Sequence, residues 1–182
     1  MTDTATWTLF AGERRLAHGP PRDVAAAAHA ASRGDYEGPV LAFDDATGRV
    51  VDLDLRGAEA DVAARYAPQA PPRPRGRPKL GVVAREVTLL PRHWEWLNAQ
   101  PGGASVALRK LVEQARRDDG GSAERKARQE AAYRFTSSMA GDLPGYEEAI
   151  RALFAGDRSG FDARVADWPG DLAAHARKLA WG

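Results

Sequence analysis

Hydrophobic and polar residues alternate along much of the N-terminal part of the chain, as they do in half-buried strands. The clearest case is Arg49–Leu55, where three aliphatic residues share one face while Asp52 and Asp54 share the other. An alanine-rich segment that follows two prolines has the composition of a helix. The pattern predicts a small ββαββα unit: strands Trp7–Phe10 and Arg14–His18, a helix from Pro20 to about Ser32, strands Val40–Phe43 and Arg49–Leu55, and a helix Ala58–Tyr66.

Helical spacing dominates the second half of the chain. Leu108, Leu111, Val112 and Ala115 recur as one face of a helix would. We interpret the aromatic residues before them, His93, Trp94 and Trp96, as core residues of a preceding helix rather than base-stacking groups. The predicted elements are a strand Val82–Leu89, helices Pro91–Ala99 and Ala104–Arg117, a long helix from Ser122 to about Met139, and three shorter helices divided by glycine-containing breaks.

The fold class is therefore α+β, with strands concentrated in the first half and helices in the second. Between the halves, Ala67–Gly81 contains five prolines and predicts an extended linker. The division that follows is a small α+β domain at 1–66, a basic linker arm at 67–81, a strand–helix–helix unit at 82–117 and a helical bundle at 118–182.

Charge is distributed unevenly, although the net charge is only +1. Residues 23–70 hold nine acidic and four basic residues, whereas residues 71–92 hold six basic residues and one acidic residue. The basic segment is consequently the candidate contact for a polyanion.

Within that segment, Pro74–Lys79 reads Pro-Arg-Gly-Arg-Pro-Lys and resembles the AT-hook, whose core is Arg-Gly-Arg-Pro. A narrow A·T minor groove has an enhanced negative potential, and glycine lets the backbone lie on its floor while arginines extend along it. The resemblance implies a preference for AT-rich double-stranded DNA, with contacts from Arg73, Arg75, Gly76, Arg77, Pro78 and Lys79.

The next segment, Val82–Arg117, resembles a ribbon-helix-helix DNA-binding unit, in which two chains pair their strands into a ribbon that enters the major groove. The resemblance implies a homodimer, with Arg85 facing DNA bases and with Ala104 and Ser105 at a phosphate. Two strand registers remain open, with either Val87 and Leu89 or Glu86 and Thr88 turned to the core.

The chain as a whole resembles an uncharacterised bacterial family, a domain of unknown function. The resemblance is carried by Gly76–Gly81, Leu90–Leu97 and Met139–Pro144. It implies no particular activity.

Catalytic chemistry has little support in the sequence. The four histidines are dispersed without metal-ligand spacing, there is no cysteine, and neither a phosphate-binding loop nor a Gly-x-Ser-x-Gly motif occurs. Four aspartates could bind Mg²⁺ in principle, but we interpret Asp44 and Asp45 as the start of a turn, and Asp52 and Asp54 as the wet face of a strand. We therefore expect no enzyme, no metal and no cofactor.

The leading hypothesis is a cytoplasmic bacterial DNA-binding protein with no membrane span, either a transcriptional regulator or an architectural protein, for which association with the nucleoid is an open alternative. The alternative is a non-enzymatic protein-interaction module whose acidic N-terminal half binds a basic partner. An enzyme of unknown class is the third hypothesis, and a deep pocket that gathers histidines or aspartates from distant segments would favour it.

Overall fold

The computed structural model describes residues 5–68, 83 and 85–182, and these form an α+β fold. The four strands that it contains all precede residue 52, and helices make up most of the remainder, so the predicted fold class is confirmed. In chain order the elements are β1 (Trp7–Ala11), β2 (Arg14–Gly19), α1 (Pro21–Ala31), β3 (Val40–Asp44), β4 (Val50–Val51), α2 (Glu59–Arg65), α3 (Pro91–Asn98), α4 (Gly103–Asp118), α5 (Ser122–Met139), α6 (Tyr146–Ala155), α7 (Arg158–Arg164) and α8 (Gly170–Trp181).

The strands form one antiparallel sheet in the order β2-β1-β3-β4. Strand β1 is central, and its residues from Thr8 to Ala11 are all buried, because both faces of the sheet are covered. Leu9 belongs to a small core with Val24 and Ala28 of α1. Phe10, which points to the opposite face, belongs to the larger core of the C-terminal helices.

The larger core is built around three aromatic rings. Phe10 of β1, Phe43 of β3 and Phe135 of α5 are fully buried, with ring centroids 5.0–6.2 Å apart. Helices α6, α7 and α8 add the buried side chains of Leu153, Phe161 and Leu172, among others. Residues 5–68 and 123–182 thus share this larger core, while the smaller core around Leu9 lies within residues 5–68.

The chain divides into two compact units. Unit 1 combines Met1–Pro68 with Ala123–Gly182, and unit 2 is Gln69–Ser122. The predicted boundaries after residues 66 and 117 lie close to these divisions, but the predicted domains 1–66 and 118–182 together make up most of unit 1. The linker 67–81 lies almost wholly outside the described residues.

Two predicted strands differ from the structure. The strand predicted at Arg49–Leu55 is reduced to Val50–Val51, which pair with Phe43 and Ala42 of β3. The strand predicted at Val82–Leu89 is absent from the residues described there, since 83 and 85–90 have no regular secondary structure. A strand requires a neighbour that pairs with its backbone, and no described strand of this chain pairs with that segment.

The turn between β3 and β4 is fixed to α5 by a glycine. Gly48 is buried and has φ +66°, and a β-carbon at this position would overlap the carbonyl oxygen of Ala131. Arg134 strengthens the attachment, because its Nη1 donates to the carbonyl oxygen of Thr47 at 3.1 Å. This contact helps to hold the end of β3, and the polar group that follows it, against the C-terminal helices.

Candidate functional site

The predicted DNA contacts fall into two sets. Arg73, Arg75, Gly76, Arg77, Pro78 and Lys79, here called the basic arm, lie outside the described residues. The other three lie in unit 2: Arg85 is exposed in the segment before α3, Ala104 is half-buried, and Ser105 is exposed.

Ala104 and Ser105 lie in the first turn of α4, which follows a glycine turn. Gly102 has φ +88°, and Gly103 donates its backbone N–H to the carbonyl oxygen of Gln100 at 2.9 Å. The first turn of α4 contains no acidic residue. The N–H groups of that turn beyond Gly103, together with the helix dipole, can therefore interact with an oxyanion.

Helices α3 and α4 pack together but bury little apolar surface. Among the described residues of unit 2, only Leu97 and Ala107 are buried hydrophobic side chains. Trp96 is 52% exposed and Val112 is 55% exposed. An open cavity of about 280 Å³ lies along the two helices and is here called the apolar groove. It is lined by Leu89, His93, Trp96, Leu97, Leu108 and Leu111.

The aromatic residues of α3 do not form the core that the sequence suggested. His93 and Trp96 are exposed and Trp94 is half-buried, so the interpretation of all three as core residues is wrong for a single copy of the chain. The reason is size, because two helices of 8 and 16 residues cannot enclose a complete hydrophobic core.

A second polar group, here called the Asp45 cluster, lies in unit 1 and consists of Thr8, His18, Asp45, His175 and Lys178. Asp45 follows β3, and its carboxylate accepts hydrogen bonds from Thr8 Oγ1 at 2.7 Å and from Lys178 Nζ at 2.8 Å. His18 Nε2 lies 3.0 Å from Asp45 Oδ2, and His175 Nε2 lies 3.7 Å from Oδ1. Strands β1 and β2, the β3–β4 turn and helix α8 each contribute to this cluster.

Burial and charge oppose each other at Asp45. Burial alone would raise the pKa of its carboxyl group, but the hydrogen bonds from Lys178 and Thr8 and the charge of Lys178 outweigh that effect. The net result is a lowered pKa, so Asp45 is ionised at neutral pH. The Asp45 side chain is only 7% exposed, so the ammonium group of Lys178 is important because it offsets the loss of water around the buried carboxylate.

His175 is the most deeply buried member of the cluster. Its ring packs edge-on against Phe10 and Phe135, with centroids 5.5 and 4.6 Å away. Burial lowers the pKa of His175 to about 4, and the Asp45 carboxylate only partly opposes this shift. Neither ring nitrogen has a hydrogen-bond partner among the described residues, so His175 is a neutral, largely apolar neighbour of Asp45 at pH 7.

The outer side of the cluster borders an open cavity of about 440 Å³. Arg15, His18 and Lys178 line it together with Leu16 and Ala17. Four of these five residues come from the edge strand β2, and Lys178 comes from α8. Arg15 lies close enough to His175 that its charge, like that of Lys178, disfavours protonation of the buried ring.

A model of the bacterial family described as "Uncharacterized protein conserved in bacteria" (DUF2239) matches residues 6–180. The chain belongs to this family. No curated protein and no solved structure matches the chain. The family match extends over both units, and therefore over both the apolar groove and the Asp45 cluster of this DUF2239 chain.

The four aspartates considered for Mg²⁺ do not form one site in this DUF2239 protein. Asp44 accepts from the backbone and hydroxyl of Thr47 within its turn, as predicted, while Asp54 accepts from the Arg56 guanidinium. In the part of the chain that the structure describes, no group of three potential ligands is placed to hold a metal ion. The same part of the chain contains no helix that is long and apolar enough to cross a membrane.

The Asp45 cluster was missed because its members are far apart in sequence. His18, Asp45 and His175 belong to no common motif, and Asp45 resembled an ordinary turn residue. One local signal was available: His175 and Lys178 are three residues apart on α8 and therefore lie on neighbouring positions of one helical face.

Proposed function

We propose that this protein binds double-stranded DNA as a homodimer and acts as a transcriptional regulator or an architectural protein. The observation that supports this most directly is a juxtaposition in unit 2. A segment with six basic residues and one acidic residue, 71–92, leads directly into two helices whose apolar surface is exposed. A positive segment next to an incomplete core is what a dimeric DNA-binding unit requires.

The dimer is proposed from the apolar groove and from the segment before it. Val87 and Leu90 are about half exposed, like Trp96, and residues 85–90 have no strand partner in the described chain. A second copy would supply an antiparallel partner for this segment and would cover the groove, as in the ribbon-helix-helix arrangement. Exposed apolar surface of this extent in a small unit favours association.

The DNA contacts follow from the same arrangement. Arg75 and Arg77 would enter the minor groove of an AT-rich site, with Gly76 and Pro78 keeping the chain close and extended, while Arg73 and Lys79 would contact phosphates. Arg85 would face the major groove from the paired segment. The N–H groups of Ala104 and Ser105 would hold a backbone phosphate at the first turn of α4.

The test is fluorescence anisotropy with labelled AT-rich and GC-rich duplexes over a series of salt concentrations. Wild type is compared with Arg75→Ala/Arg77→Ala and with Arg151→Ala/Arg158→Ala, which removes the same charge from exposed arginines of α6 and α7. We expect binding that prefers the AT-rich duplex, weakens with salt and is lost only in the first variant.

Weak binding that is indifferent to sequence and to Arg75→Ala/Arg77→Ala would contradict the DNA proposal. The remaining candidate would then be the protein-interaction module, for which residues 23–70 offer an excess of acidic residues. Several of them, including Asp35, Glu37, Asp52, Glu59 and Asp61, are exposed on unit 1.

A further inference from the structure

We propose that the cavity lined by Arg15, His18 and Lys178 binds a small ligand that carries a phosphate group. The proposal concerns unit 1, and it does not depend on the DNA contacts proposed for unit 2. The cavity is open and measures about 440 Å³, so a phosphate group with a modest organic substituent can enter it.

The first argument is the donor capacity of Lys178. Lys178 Nζ lies 2.6 Å from His18 Nε2 and 2.8 Å from Asp45 Oδ2, and His18 Nε2 lies 3.0 Å from the same carboxylate oxygen. An ammonium group has three N–H donors, and at most two of them are used by these two neighbours. At least one donor of Lys178 is therefore left at the edge of the cavity.

The second argument is the unsatisfied guanidinium of Arg15. Within the described residues its side chain has no ion pair or hydrogen bond, whereas its backbone N–H donates to Asp171 Oδ2 at 2.9 Å. That backbone bond ties β2 to the first turn of α8 and holds the position of Arg15 beside Lys178. A guanidinium group presents paired N–H donors that match two phosphate oxygens.

The charges of the cavity favour an anion. The Asp45 carboxylate is buried behind Lys178 and accepts from Lys178 and Thr8, so it compensates one cation and presents little surface to the cavity. The carboxylate of Asp171 is engaged by the Arg15 backbone. Among the described residues Arg15 remains without a compensating acid, and its paired N–H donors line the same space as the free donor of Lys178. These three donors suit the three free oxygens of a phosphate monoester better than the two of a carboxylate.

The arrangement is also held in place before a ligand arrives. Thr8 and His175 are fully buried, the Asp45 side chain is only 7% exposed, and the Asp45 carboxylate fixes the ammonium group of Lys178. A site whose donors are already ordered loses less side-chain freedom on binding than a patch of independent surface cations.

The test is an NMR titration of the full chain with inorganic phosphate at constant pH and ionic strength, in which the ring resonances of His18 are followed. We expect a saturable shift with a dissociation constant below about 10 mM. Chloride and acetate at the same ionic strength serve as reference anions and should shift these resonances little. Arg15→Gln should weaken phosphate binding about tenfold or more, because the paired donors are lost. Arg14→Gln removes the same charge from the neighbouring strand residue outside the cavity lining and should weaken binding less than about twofold.

Each alternative result would overturn the proposal. A linear shift without saturation would show that the cavity does not bind phosphate. Equal losses in Arg14→Gln and Arg15→Gln would show that general surface charge, not this cavity, attracts the anion. If a short DNA duplex shifts the His18 resonances with saturation while phosphate does not, the cavity is a contact for the DNA backbone rather than a small-ligand site. Because Arg75→Ala/Arg77→Ala changes none of Arg15, His18 and Lys178, loss of DNA binding in that variant leaves the phosphate proposal unaffected.

Discussion

The imidazole of His175 and the carboxylate of Asp45 lie 3.7 Å apart, measured from Nε2 to Oδ1, although His175 is fully buried and strongly disfavours a positive charge. The cation that pairs with the carboxylate is the ammonium group of Lys178, whose Nζ lies 2.8 Å from Asp45 Oδ2. The buried imidazole therefore remains neutral beside an ionised acid. This division of roles makes the stability of unit 1 sensitive to acid.

The first prediction concerns that sensitivity. The pKa of His175 is about 4 in the folded chain, and its ordinary value is 6.5, so the unfolded state binds more protons between these values. Stability from this residue is fully present above pH 6.5 and is lost as pH falls toward 4. The free energy of unfolding falls by about 3 kcal/mol over this pH range. Urea unfolding at pH 7 and pH 4.5 measures the difference.

His175→Leu removes the titrating group and keeps an apolar side chain against Phe10 and Phe135. We expect this variant to lose much less unfolding free energy than wild type between pH 7 and pH 4.5. His93→Gln removes an exposed histidine of α3 and should retain the wild-type decline. Parallel declines in wild type and His175→Leu would refute the assignment of the acid sensitivity to His175.

The second prediction concerns the ion pair of Asp45 with Lys178. Lys178→Met leaves a buried carboxylate with Thr8 and His18 beside it but without the ammonium group, and we expect a loss of about 1–2 kcal/mol of unfolding free energy. The value is modest because Lys178 is 41% exposed and water can partly replace its hydrogen bond. A double-mutant cycle with Asp45→Asn measures the coupling.

In that cycle the double variant should be more stable than the sum of the two single losses predicts, because neither partner is then left alone. Lys110→Met changes an exposed lysine of α4 and should alter stability by less than about 0.5 kcal/mol. Simple additivity of the two single losses would mean that the contact between Lys178 and Asp45 contributes nothing to the fold.

A third prediction tests the attachment of the β3–β4 turn to α5. Gly48→Ala introduces a side chain at φ +66°, where its β-carbon overlaps the carbonyl oxygen of Ala131. We expect a loss of about 3 kcal/mol or more in thermal or urea unfolding, since both the backbone conformation and the contact are unfavourable. Gly156→Ala is the matched control, because Gly156 has φ +70° with nothing within 4 Å of the added carbon. It should cost only about 1 kcal/mol, and equal losses in the two variants would exclude the contact with α5 as the cause.

The fourth prediction concerns the proposed dimer. Trp96 of α3 and Phe154 of α6 are both 52% exposed aromatic residues on helices, but only Trp96 lines the apolar groove. Trp96→Glu should shift the chain toward the monomer by at least about tenfold in dissociation constant, whereas Phe154→Glu should leave self-association unchanged. Sedimentation velocity over a concentration series measures both. A wild-type chain that stays monomeric at every concentration would contradict the dimer.

The order and type of the elements could be predicted from the sequence because hydrophobic period and proline or glycine breaks are local signals. The ββαββα order and the C-terminal helices were predicted on this basis, and the described structure has both. The strand at Val82–Leu89 could not be judged in the same way, since an apolar run that alternates in sequence forms a strand only where another strand pairs with it.

The joint core and the Asp45 cluster depend on contacts between distant segments. Nothing near Phe10 or Phe43 in sequence indicates that Phe135 covers them, because the proline-rich segment suggested an interruption between independent domains. Likewise, the four histidines appeared dispersed, although two of them meet at Asp45. A turn aspartate with this role has the same local sequence as one that faces solvent.

The discontinuous composition of unit 1 has a consequence for synthesis on the ribosome. The sheet is complete once Val51 has been made, but the face that carries Phe10 and Phe43 is covered only by helices that begin after residue 121. At ordinary translation speeds this face remains uncovered for on the order of ten seconds, because all of unit 2 is synthesised before the helices that cover it. The nascent chain therefore presents an aromatic surface during that interval, and we expect chaperones that recognise such surfaces to determine how much of it reaches the native state.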